Sequence, residues 1–219
     1  MFTSFDDELN HYLSTCHNHP IMMSERTPAC LVDAGCPDLP MYIGCRHVDS
    51  ILADFEDLES QHGIPQSILS RIPEELEKPV FVIDSPARPD SVVVCVDLYD
   101  TLNQPIFVTI HINGFVMFKN RKVSCNFVTS VYGKRPDGVV GTFGRACAND
   151  DVVYVDKRKF CIMKSKIAMS FAMKRLNSII DQHPYDSANA RNAIIDKDYY
   201  NSFYEERKFR DYRTRYSQN

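Results

Sequence analysis

At 219 residues, 44% of them hydrophobic and 25% charged, the chain has the make-up of one folded domain of ordinary size with extensions, which excludes wholesale disorder. A formal charge of −4 excludes a broadly basic nucleic-acid coat but leaves room for a local cationic cleft. No apolar run approaches the roughly 18 residues a membrane span needs, so no membrane partner is expected.

Eight cysteines are present, with no CxxC pair. Cys95 sits inside Ser91-Val-Val-Val-Cys-Val-Asp97, where a thiol packs as a small hydrophobe. The opening Phe5-Asp-Asp-Glu-Leu9 is acidic where a secretory signal is basic. Reduced thiols, no disulfide and a cytoplasmic location are the expectation.

Residues 1–26 read as polar and irregular, a surface extension with Cys16, His17 and His19 too isolated for a metal site. Pro28 to Pro40 reads as loop, with turn chemistry in Gly35-Cys-Pro-Asp-Leu-Pro40. A helix is predicted over 47–59, because Val48, Ile51, Leu52, Phe55 and Leu58 share one face, with Gly63 as its stop signal. A short second helix runs from Pro65 through Ile72.

Beyond Pro79 the pattern turns to strands: 80–83, 92–98, 106–112 and 123–128, separated by turn clusters, with Val152–Val155 as a fifth, edge strand. Short links between consecutive strands imply an antiparallel meander. Helices are expected on one side of it. Residues 163–181 read as a further helix, and the tail from Asp196 interleaves tyrosine with arginine and lysine. The predicted class is α+β: N-terminal helices on a four- to five-stranded meander, followed by C-terminal helices. The predicted division is 1–25, 26–160 and 161–219.

Arg26-Thr-Pro28, Gly35-Cys-Pro-Asp-Leu-Pro-Met-Tyr-Ile43, Gln61-His-Gly-Ile-Pro65, the run from Arg71 to Ser85, Pro89-Asp-Ser-Val-Val-Val94 and Asn126-Phe-Val-Thr-Ser-Val-Tyr-Gly-Lys134 occur in order. Together they resemble the MuF C-terminal domain of phage head-morphogenesis and polyvalent proteins over roughly residues 26–135. Cys36 departs from the small alanine usual there, and after Lys134 the likeness fades. The family is grouped by fold with the barnase, EndoU, colicin and RelE class of metal-independent ribonucleases. The resemblance therefore implies N-terminal helices on an antiparallel sheet, a site on the sheet's open face, and an RNA substrate.

Metal-independent RNA cleavage requires a base, an acid and a cation at one phosphate, and no cofactor. His62 is the natural acid or base, or else a capping histidine. Ser130, Tyr132 and Lys134 share a face if the strand stays extended, a hydroxyl, a phenol and an ammonium in a row; the plainer reading is an edge strand facing water. These four are the catalytic candidates. Ser85 and His111 are the substrate-binding ones, and His111 points opposite to Ile110 and Ile112. No cysteine shows the surroundings of a nucleophile, and glycine-rich phosphate loops are absent.

Two functions are open at this point. One is an endoribonuclease toxin or effector acting on host RNA in the host cytoplasm, with an immunity protein as a possible partner. The other is a non-catalytic phage-derived protein that holds a host protein through its C-terminal extension.

Overall fold

The computed structural model describes residues 4–53, 63–118 and 120–166. His62, the tail and its tyrosines and arginines, and the C-terminal helix beyond Lys166 lie outside them.

The N-terminal residues are helical. Ser4 caps α1 (Phe5–Thr15) by accepting from the Asp7 amide, while the Asp7 carboxylate accepts from Ser4. Phe5, Leu9 and Tyr12 point inward from α1 and are buried. The irregular extension expected there is corrected: polar residues fill the outward face and hide a 3–4 apolar spacing. β1 (Ile21–Ser24), α2 (Ala29–Asp33) and β2 (Met41–Ile43) follow.

The helix expected over 47–59 is α3 (Cys45–Leu52), and it stops early. Ala53 turns extended at φ −63°, ψ 138°. Gly63 takes φ 55° and donates its N–H to the Ala53 carbonyl; residues 54–62, onto which the expected helix extended, lie outside the described residues. The second helix divides into α4 (Gln66–Leu69) and α5 (Ile72–Leu76). Pro73 at the start of α5 has no N–H to give a continuing helix, which accounts for the break.

The sheet has seven strands, not four or five, in the order β1-β2-β6-β5-β4-β3-β7. Its central members are β3 (Phe81–Asp84), β4 (Ser91–Tyr99), β5 (Pro105–Phe118) and β6 (Arg121–Gly133), antiparallel throughout, with β7 (Val152–Val155) at the edge beside β3. β2 lies parallel to β6, which makes the sheet mixed. β5 and β6 run longer than predicted, because the half-polar ends of a projecting hairpin carry no apolar run to betray them.

Helices cover both faces, another correction to the one-sided expectation. On the first face α1 to α5 bury Leu9, Leu31, Val48, Leu69 and Ile72 against Val82, Val94, Val108 and Val128. On the second face α6 (Pro136–Asn149) and α7 (Lys157–Lys166) bury Phe143, Phe160 and Met163 against Phe81, Cys95 and Phe107. α6 has four larger apolar residues, Val139, Val140, Phe143 and Cys147, among five glycine and alanine positions and gave no clear period in the sequence. β4 is buried along both faces because helices sit on each side. All eight cysteines stand as free thiols. Among the described residues no helix is long and apolar enough to cross a membrane.

Candidate functional site

α6 and α7 cover only part of the second face. Where they end, the strands β4, β5 and β6 present a belt of polar side chains. Alternation along β5 sends Ile106, Val108 and Ile110 into the first-face core and leaves Phe107, Thr109 and His111 on the second. Pairing with β6 places Ser130 opposite Thr109 and Tyr132 opposite Phe107. Opposite partners in such a pair hold their Cβ atoms about 4.5–5.5 Å apart.

A bulge at Thr129 keeps this alignment. The register shifts between the Thr109–Ser130 and Ile110–Val128 pairs, and the Thr129 hydroxyl donates to the Thr109 carbonyl at 3.2 Å. Val128 and Val131 can then both be buried in the core while Phe127, Ser130 and Tyr132 stay on the second face.

The belt ends in a cation. The Lys134 Nζ stands 5.7 Å from the centre of the Tyr132 ring and 6.0 Å from that of Phe107. Its backbone N–H donates to the Pro105 carbonyl, which holds the residue in line with β6. Arg135 follows as the N-cap of α6, with Pro136 in the first turn, so the positive end of a 14-residue helix begins beside the lysine. Burial pushes the Tyr132 phenol above its ordinary range, partly offset by its hydrogen bond with Thr109. The phenol keeps its proton at neutral pH.

His111 closes the other end, opposite Phe127 on β6 and Ser91 on β4. It lies one diagonal step from Ser130. Gly114 leaves the imidazole its space: a Cβ there would meet the His111 ring at 2.9 Å. Ser91 is 2% exposed, and its hydroxyl finds no hydrogen-bond partner among the described residues. The Ser91 carbonyl accepts the Ser85 N–H at 2.9 Å, which ties Ser85 to the same rim.

Ser130, Tyr132, Lys134 and His111 therefore share one face, with Ser85 at its margin. Thr109 and Ser91 belong with them and were missed by sequence reasoning. Thr109 was findable, since the alternation that turned His111 outward applies equally two residues earlier; Ser91 announced itself only through strand register. His17 and His19 do come together, their rings 3.5 Å apart and nearly parallel. Among the described residues no three histidine, cysteine or acidic side chains are placed to hold a metal ion.

A hydroxyl pair, a proton-bearing phenol, a lysine and a histidine thus lie along one face of the sheet of an α+β domain. A family model for the Phage MuF-C-terminal domain matches residues 55–161. Over that stretch, just under half of its length, the chain is similar to that family. The match omits the turn and strand segments before residue 55 and continues through β7 into α7, past Lys134, where the likeness was expected to fade. Neither a curated protein nor a solved structure matches the chain.

Proposed function

We propose that this domain is a metal-independent endoribonuclease, an effector of phage origin that acts on host RNA. The observation that supports the reading most is the belt itself: Thr109, Ser130, Tyr132, Lys134 and His111 gathered on the second face, partly exposed, with Tyr132 packed at the edge of the α6–α7 core.

In this reading a histidine takes the proton from a ribose 2′-hydroxyl, and the 2′-oxygen attacks the neighbouring phosphorus. The bond from phosphorus to the 5′-oxygen breaks, leaving a 2′,3′-cyclic phosphate and a 5′-hydroxyl. His111 is the described histidine of the belt, and His62 is proposed as its counterpart, one acting as base and the other as acid. Lys134 neutralises the charge that builds on the phosphoryl oxygens, and Tyr132 and Ser130 donate hydrogen bonds to them. No metal or cofactor enters the chemistry.

The test is to incubate the pure chain with total RNA in excess chelator. Fragments ending in 2′,3′-cyclic phosphate are the expected result. Intact RNA, or cleavage that needs an added divalent ion, refutes the reading.

A further inference from the structure

Residues 101–136 contain no aspartate or glutamate, although 29 acids in 219 residues would place about five there, and they carry the cations Lys119, Arg121, Lys122, Lys134 and Arg135. That stretch is β5, β6 and the entry to α6. β1 and β2, which complete that end of the sheet, are also free of acids. An acid at that end is on a helix, Glu8 of α1, whose charge acts on Tyr42 and His17.

On the second face the β5–β6 register sets out a row. Phe118 and Arg121 stand opposite each other at the hairpin end, His111 and Phe127 in the middle, and Tyr132 with Lys134 at the base. β6 spans 13 residues, about 40 Å along the strand. Arg121 is exposed, and Phe118, Phe127 and His111 are half-exposed. Further rings flank the row: His19 lies 6.1 Å from Phe118, and His47 lies 5.5 Å from Phe127. Cations at both ends, rings between them and no carboxylate on either strand suit a polyanion whose flat groups can stack.

We propose that the second face of the β5–β6 ribbon is a track for single-stranded RNA, in which Arg121 and Phe118 grip the strand far from the cleaved phosphate. The proposal rests on the RNA reading of the belt and adds residues that bind without reacting. Stacking on a ring tolerates any base, and a guanidinium pairs with a phosphate in two-point geometry. A duplex fits less well, because its bases are stacked within and cannot reach Phe118. Residues 167–219, with nine cations and seven acids, have the wrong sign to be the occupant.

The experiment uses the full chain and a fluorescein-labelled 2′-O-methyl oligonucleotide of about twelve nucleotides, within the usual site size of such grooves. Methylation of the 2′-oxygen prevents cleavage, so fluorescence anisotropy reads binding alone. Phe118→Ala should weaken binding about tenfold through the lost stack. Arg121→Gln should weaken it similarly and lower the slope of log affinity against log salt by about 0.7. Cleavage of the all-ribose oligonucleotide at low concentration should fall in the same proportion. Wild-type binding that neither variant changes overturns the track and leaves the cleavage reading standing. Binding that follows the variants without any cleavage of the all-ribose strand upholds the track and removes the enzyme. No binding of single strands, or a preference for duplex, overturns the track.

Discussion

Replacing Gly133 by alanine should destabilise the domain and disturb the site together. Gly133 lies between Tyr132 and Lys134, and an added Cβ would stand 1.9 Å from Asp100 Oδ2 and 2.7 Å from its Cγ. Asp100 has little room to yield. It is 7% exposed, and its other oxygen, Oδ1, accepts the N–H groups of Leu102 and Gln104 at 2.9 and 2.8 Å, which shapes the β4–β5 turn. Relieving the clash needs a shift of about an ångström in the carboxylate or in β6. Overpacking of this kind costs about 1–3 kcal/mol, and loosening the two turn hydrogen bonds adds about 1–2 kcal/mol. At about 2–4 °C per kcal/mol for a chain of this size, the melting temperature should fall by about 5–15 °C.

Gly141 supplies the control. It lies within α6 with nothing near its missing Cβ, so Gly141→Ala should leave the protein as stable or stabilise it by up to about 1 kcal/mol. Circular-dichroism melts of both variants are the assay. Gly133→Ala melting within about 2 °C of the wild type would refute the packing argument.

Asn126 should prove a structural anchor. It is 1% exposed, its amide donates to Thr27 Oγ1 and the Pro37 carbonyl, and its oxygen accepts the Asn113 N–H. Asn126→Ala should cost about 2–4 kcal/mol in urea unfolding. The protein should also lose stability in mild acid. Burial, then the neighbouring His19 and His11, hold the His17 pKa below its ordinary 6.5, and burial does the same to His47. The unfolded chain then binds more protons, so these histidines contribute stability that is complete above the ordinary histidine range and lost as pH falls through it. Melts at about pH 7.5 and pH 5.5 should show that loss, and His17→Phe, which keeps the stack with His19, should reduce it.

The strands of the sheet's centre were legible because each is a β-branched run between turn residues, and period-2 alternation was enough to assign His111, Ser130 and Tyr132 to faces. β1 and β2 were not read from periodicity. At four and three residues they are too short for it, and their pairing with each other and with β6 is set by tertiary contacts. Thr27 shows the same limit from another side. It was noted as a piece of a family pattern, but its work is done across 99 positions, where its hydroxyl accepts from Asn126. The site was legible as a row on β6 and illegible as a belt. Sequence gives the face of each side chain but not the register that sets Thr109 against Ser130 and Ser91 against His111.

Lys134→Ala bears most directly on the claim that the belt performs the chemistry. The ammonium stands over the Tyr132 ring at the end of β6, half-exposed, so its removal should leave the melting temperature within a few degrees of the wild type. Removing one positioned stabiliser of developing charge typically costs about a hundredfold or more in rate. The decisive measurement is the single-turnover rate of RNA cleavage in chelator, paired with a melt of the same preparation. A loss of about a hundredfold at unchanged stability is the predicted result; an unchanged rate, or a loss matched by unfolding, contradicts the account.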